Sequence, residues 1–353
     1  MNNAKSYYPF WILFLLWNIC SSAFAQTKLH PYSFFLKTEA GYETNILESY
    51  LTSKDDNTLY IWGGFRYDHY SRKNRFHLNL LSNISLYSDY SSENKNSNNI
   101  TLFYRRNFSQ ILSLETDINL FHKSWYNIAD YHYFNGCGSA LLGMQFQRMS
   151  VRVGPQLRRN RYRINPNYDS DVSGFVLKAS YPVRPAFSLH VDTQYDFIDY
   201  AQRSVFQRAE FGDSSKMQDD RIFLLNAGVE YHKDLIAGVA FQLIRLSSNS
   251  FLSEYWGYSL QAYATKRWHQ TILQLAVQLF LKDYSKELIA HLVDYYPDPE
   301  QNIQNQILFG WERPLRKGLS ATGKAAMMRN ESRYSGVYYD KWYISAGIQY
   351  RFE

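Results

Sequence analysis

From Trp342 to Phe352 the chain alternates without a fault. Trp342, Ile344, Ala346, Ile348, Tyr350 and Phe352 fall on one face, and Tyr343, Ser345, Gly347, Gln349 and Arg351 on the other. Period two marks a strand whose two faces meet different surroundings. The pattern recurs along the chain. Phe34, Leu36, Thr38, Ala40 and Tyr42 oppose Lys37, Glu39 and Glu43, and Leu59, Ile61, Phe65 and Tyr67 oppose Trp62, Arg66 and Asp68. Phe76, Leu78, Leu80, Ser82, Ile84 and Leu86 alternate with His77, Asn79, Asn83 and Ser85, and Leu112 to Leu120 alternate with Ser113, Glu115, Asp117 and Asn119. Similar apolar faces run through Ile100 to Tyr104, Ala140 to Phe146, Val151 to Leu157, Phe175 to Tyr181 and Phe187 to Phe197. They continue through Phe223 to Tyr231, Val239 to Leu243, Trp256 to Ala262, Leu273 to Leu281, Ile303 to Trp311 and Leu319 to Met327.

No residue placed on these apolar faces is charged, while the opposite faces are rich in charge and amide. A Lys or Arg facing lipid at mid-bilayer costs about 2–4 kcal/mol, so this asymmetry is what lipid would impose. A solvent-facing sandwich would tolerate outward lysine and would set charge against a dry core. In lipid only helices and closed barrels leave no unpaired peptide groups. After residue 25 no segment approaches the run of about 18 apolar residues that a spanning helix needs. The expected fold class is therefore all-β: a transmembrane antiparallel up-and-down β-barrel of about sixteen strands (14–18). Connection lengths agree. Short turns fall at 71–75, 107–110, 147–149, 182–186, 232–234, 266–269 and 313–317, and long connections at 160–170, 201–219 and 285–301. Short periplasmic turns and long outer loops place both termini in the periplasm. Pro155 conflicts with an interior strand, which predicts either a bulge at Gly154–Pro155 or a shorter seventh strand.

The closing Gln349-Tyr350-Arg351-Phe352 resembles the terminal aromatic signature of Gram-negative outer-membrane barrels, although Glu353 follows the Phe. Ala40-Gly41-Tyr42-Glu43-Thr44-Asn45-Ile46 resembles the Gly-Tyr-x-x-Asn opening of porin-type and surface-assembly barrels. The resemblance touches both ends of the chain and implies the fold; it carries over no catalytic residue. Residues 1–25 read as a cleaved signal peptide, with Lys5, the apolar run Pro9–Ile19 and the small-x-small site Ala23-Phe24-Ala25. Residues 26–353 then form a single barrel domain in the outer membrane. Aromatics make up 18% of the chain, yet its mean hydropathy is negative. A polar lumen face averaged with an apolar lipid face reconciles the two. Removing Cys20 with the leader leaves Cys137, so no intrachain disulfide is expected. The net charge of +6 is spread along the chain, which disfavours nucleic acid as a partner.

Chemistry-bearing constellations are sparse. His122, His132, His190, His232 and His291 lack a serine at a recognisable spacing. His190 with Asp192 reads as a polar lumen pair, and Asp55-Asp56 and Asp219-Asp220 as solvated loop acids. Asp294, Asp298 and Glu300 read as a solvated acidic loop. No enzyme activity, metal or cofactor is expected. The concentrated feature is basic: Arg152, Arg158, Arg159, Arg161 and Arg163 run from the seventh strand into its loop. Arg152 and Arg158 would form a positive ladder near the outer mouth, favouring anions; the cluster would equally pair with lipopolysaccharide phosphates. Inward acids give a mixed lumen, with Lys37, Glu39, Arg66, Asp68, Glu115, Asp117, His190 and Asp192 as its candidate polar lining.

The first strand opens soon after Gln26, so neither a plug domain nor energised uptake is expected. The reading is a passive channel for small hydrophilic solutes, constricted by 201–219 or 285–301. The alternative is a barrel, closed at rest, that scaffolds export, adhesion or assembly of a surface polymer or lipoprotein. Expected partners are outer-membrane lipid, lipopolysaccharide and the barrel-assembly machinery; no residue decides for or against a homo-oligomer.

Overall fold

The computed structural model describes residues 31–47, 53–127, 132–163, 169–204, 217–250, 254–284, 305–331 and 338–352. Sixteen strands close into one barrel. They are β1 (Tyr32–Glu43), β2 (Asp56–Tyr70), β3 (Asn74–Tyr87), β4 (Lys95–Asn107), β5 (Leu112–Trp125), β6 (Tyr133–Phe146), β7 (Met149–Tyr162) and β8 (Ser170–Arg184). They continue as β9 (Phe187–Ser204), β10 (Met217–His232), β11 (Leu235–Ser248), β12 (Tyr255–Trp268), β13 (Thr271–Tyr284), β14 (Asn305–Arg316), β15 (Leu319–Glu331) and β16 (Tyr338–Phe352). Each pairs antiparallel with its neighbours in sequence, and β1 pairs with β16. Following the pairing once around returns to β1 displaced by roughly twenty residues, the stagger that tilted strands need to close a sheet.

One rim carries the short turns and is called the turn end; the other is the loop end. Three of the five two-residue connections at the turn end use left-handed backbone: Gln147 (φ 48°), His269 (φ 52°) and Gly318 (φ 73°). The right-handed twist of paired strands favours such turns. At the loop end the strands outrun their alternation. β5 reaches Trp125, β7 reaches Tyr162, β9 reaches Ser204, and β10 starts at Met217. Segment 160–170, expected as a long connection, is partly strand, and so are 91–98 and 122–133. Beyond the apolar band the outer face need not be apolar, so ladder pairing continues without the pattern that revealed it. The expected leader 1–25, all of 285–301 and most of 201–219 lie outside the described residues.

The outer face is an apolar band. Phe175 is 63% exposed, and Leu36, Ile348, Leu275 and Phe241 are likewise exposed. Aromatic pairs flank it: Tyr67–Phe76, Phe187–Tyr231 and Tyr350–Phe352 near the turn end, Tyr42–Trp342 near the loop end. The Gly154–Pro155 expectation is corrected in both forms. Ser139 pairs Gln156 and Leu142 pairs Val153 at one unchanged register, so no bulge interrupts β7, and the strand is longer than the pattern implied. Pro155 faces outward and pairs with Phe175 on β8; pairing is missing only toward Ala140 and Leu141 of β6. Gly154 accommodates the gap, because a Cβ there would lie 2.0 Å from the Ala140 carbonyl oxygen.

The β16–β1 seam is fastened on its inner face. Glu39 is 1% exposed and ion-pairs with Lys37 at 2.6 Å. It also reaches across β16 to β15, where Lys324 Nζ lies 3.8 Å away and Thr322 Oγ1 donates at 3.2 Å. The residue between them on β16 is Gly347, opposite both Glu39 and Thr322. A Cβ at Gly347 would sit 1.9 Å from the Thr38 carbonyl oxygen, so only glycine lets the strands approach. At the loop end Lys341 ion-pairs with Glu43, to which Tyr60 donates at 2.5 Å. The Thr44 amide donates to the Trp342 carbonyl at 2.9 Å, and Trp342 N donates to Thr44 Oγ1 at 3.0 Å. Asn45, left-handed at φ 49°, donates from Nδ2 to the Asp340 carbonyl at 3.1 Å. The Gly-Tyr-x-x-Asn stretch is thus the latch of barrel closure.

Candidate functional site

Alternation turns one side chain in two into the lumen, and the lumen has two unlike walls. The first is ionic. Its residues on β1, β2, β5 and β9 include Lys37, Glu39, Arg66, Asp68, Glu115, Asp117, His190 and Asp192, all on the inward parity. Asp68 accepts from Arg66 Nε at 2.5 Å and from Tyr70 at 3.2 Å, and meets His77 Nδ1 at 2.8 Å. Glu115 accepts from Arg105 Nε at 2.7 Å and from Arg152 Nη1 at 3.3 Å. Most fixed charge on this wall is therefore neutralised in place. Paired charges take up little of the field that selects ions in a pore.

The basic cluster divides. Arg152 and Arg158 face inward and Arg159 and Arg161 outward. Arg152 lies three residues into β7 from the turn end, not at the loop-end mouth, because β7 starts at Met149. Arg158 donates from Nη2 to Asp196 at 2.9 Å, with Asp196 fully buried. A positive ladder does not form, since the two lumen arginines are separated along the strand and each meets an acid. Arg159 and Arg161 both bind Asp171 of β8, at 2.9 Å each, on the outer face near the loop end. Arg163 follows the strand and its amide donates to the His132 carbonyl at 3.0 Å.

Of the acid pairs read as solvated, Asp55 and Asp219 are exposed, while Asp56 and Asp220 are buried. Asp56 opens β2, is 2% exposed, and accepts from the Asp89 and Tyr90 amides at 2.9 Å each, pinning the β3–β4 connection. Asp220 lies within β10, fully buried, and accepts from Tyr200 at 3.1 Å and Gln218 at 3.0 Å. Asp294, Asp298, Glu300 and His291 lie outside the described residues. His190 and Asp192 are two apart on β9 and both face inward; their cross-strand partners on β10 are Gly228 and Asn226.

The second wall spans β9 to β14 and was not anticipated. Gln261, Gln278 and Gln306 stand directly opposite one another on β12, β13 and β14. With Asn226, Glu230, His190, Tyr263, Ala240 and Ala276 they line a partly open recess of about 100 Å³. Asn226 Oδ1, Gln261 Nε2 and Gln306 Oε1 are buried and have no hydrogen-bond partner. A buried polar atom left so costs about 1–3 kcal/mol, which water or a ligand must relieve. Toward the loop end the same wall turns apolar. Val172, Ile198, Tyr200, Ile222, Leu224, Ile244, Leu246, Tyr255 and Phe280 form one buried cluster inside the barrel. The signal in sequence was the loss of alternation: Ile222-Phe223-Leu224-Leu225 and Leu243-Ile244 are apolar on both faces.

No family model and no curated protein matches the chain. Solved structures similar to it include CdiB from Acinetobacter baumannii, at 12% identity and a TM-score of 0.48, covering 92% of this chain. The chain spans 60% of the length of that CdiB structure. A TodX monoaromatic hydrocarbon channel mutant matches at 11% identity and TM-score 0.43, covering 94% of this chain and 93% of the other. A mutant porin of Rhodopseudomonas blastica matches at 8% identity and TM-score 0.38, covering 91% and 100%.

Proposed function

We propose that the protein is a bacterial outer-membrane channel for passive diffusion of small hydrophilic solutes, exported by its leader and holding both termini in the periplasm. The observation that carries this is the two-faced wall of a closed sixteen-strand barrel: an uncharged apolar band with flanking aromatics outside, ions and amides inside. A barrel of this size encloses an aqueous lumen. Because Glu115, Asp68 and Asp196 already hold arginines, selectivity between small ions is modest. Arg159 and Arg161 face outward near the loop end, and guanidinium geometry suits phosphates such as those of lipopolysaccharide, with Asp171 as their partner within the barrel. The assembly partner of such a barrel is the barrel-assembly machinery.

One observation favours a second reading. The buried apolar cluster at the loop end withdraws part of the inner wall from water. That suits a barrel closed at rest, scaffolding export, adhesion or assembly of a surface polymer or lipoprotein. Single-channel recording in a planar bilayer under a salt gradient separates the two. Stable open steps support the channel, whereas a correctly folded but electrically silent barrel supports the scaffold.

A further inference from the structure

We infer that the recess on β9–β14 is a binding site for a neutral polyhydroxylated solute, a saccharide in chemical class. The inference rests on the channel reading and names the solute the lumen is built to hold.

Three features carry it. The first is the amide ladder. Gln261, Gln278 and Gln306 are aligned across three neighbouring strands, so their head groups follow one another around the wall at the strand spacing. An amide both donates and accepts, as does a hydroxyl, so a row of amides matches a row of hydroxyls with no net charge. The second is the open valence. Asn226 Oδ1, Gln261 Nε2 and Gln306 Oε1 are buried without partners, and Gln306 is 3% exposed. These atoms offer two acceptors and a donor into one recess. The third is the floor. The Tyr263 ring lies over Gly238, where a Cβ would come within 2.5 Å of it, and its hydroxyl donates to Glu230 at 3.0 Å. The Tyr263 ring lines the recess together with Ala240 and Ala276, giving it an apolar surface beside the amides. Sugars have such a pairing of surfaces: hydroxyls at the edge and C–H groups on the face.

Charge decides against acidic sugars. No lysine or arginine lines the recess among the described residues, while Glu230 does. An anionic solute would meet the Glu230 carboxylate, beside which stand Tyr263 and His232 but no lysine or arginine of the recess lining.

The test uses the full barrel, refolded and reconstituted. Maltotriose, a trigalacturonate and a polyethylene glycol of similar size are added in turn while open-channel current is recorded. Maltotriose should block current in discrete events, with trigalacturonate at least about tenfold weaker. In the double variant Gln261→Met, Gln306→Met, block by maltotriose should fall about tenfold, with block by the glycol retained. Heat-modifiable gel mobility shows that the variant still closes. Equal block by all three solutes, or an unchanged block in the closed variant, overturns the site. Calorimetric titration of the detergent-solubilised protein with maltotriose keeps the site and the channel distinct. A silent barrel that binds maltotriose retains the site and loses the passive channel. A conducting barrel with neither heat of binding nor block loses the site alone, and a silent barrel that does not bind loses both.

Discussion

Replacing Glu39 by glutamine tests whether the seam is held by charge. The side chain keeps its shape and can still accept from Thr322 Oγ1, 3.2 Å away. Its charge is lost beside Lys37, which is 3% exposed and 2.6 Å from the carboxylate, and beside Lys324 at 3.8 Å. Removing one member of a buried pair strands the other, at a cost of about 3–5 kcal/mol. The pair is buried on both sides, so solvent screening gives no discount. Urea unfolding in lipid vesicles, followed by tryptophan fluorescence, should therefore show E39Q about 3–5 kcal/mol less stable than the native chain. The double variant E39Q/K37M removes the stranded cation as well and should recover more than half of that loss. If E39Q unfolds within about 0.5 kcal/mol of the native barrel, or the double variant is no better than the single, the ionic account of the seam is wrong.

Three further outcomes follow from the geometry. Gly347→Val places a side chain into the Thr38 carbonyl and should abolish the heat-modifiable, closed form on gels, with β-structure content reduced in circular dichroism. Leu275→Lys on the outer face should cost about 2–4 kcal/mol in vesicles, while Gln274→Lys one residue away, facing the lumen, should cost less than about 1 kcal/mol and shift the reversal potential toward anions. Arg158→Ala leaves the fully buried Asp196 without its arginine and should destabilise by about 3–5 kcal/mol, whereas Arg152→Gln, more exposed, should chiefly move the reversal potential toward cations.

The fold was legible because lipid reads only one face. Leu36, Phe175 and Ile348 had to be apolar, and any charge among them would have been costly, so the outer parity stood out strand by strand. What went unseen lies where that constraint lapses. Lys95–Asn98 and Arg158–Tyr162 are strand without an alternating apolar face, and only ladder pairing defines them. The inner wall obeys no periodic rule. Arg152 and Arg158 looked like a ladder because sequence shows spacing along β7 but not Glu115 and Asp196, their partners from β5 and β9. Gln261, Gln278 and Gln306 are unremarkable in sequence; cross-strand register aligns them, and register requires the fold.

The latch has a consequence for the order of assembly. Glu43 and Lys341 stand near opposite ends of the sequence, as do Thr44 and Trp342, and Glu39 finds Thr322 and Lys324 only across a β16 that is already in place. An unclosed sheet thus holds Glu43 without Lys341, and leaves Glu39 with Lys37 of its own strand but without Lys324. The remaining counter-charges arrive together, when β16 docks against β1. Closure of the barrel and full pairing of its seam become the same event, so a sheet lacking Lys341 carries its own mark of being unclosed.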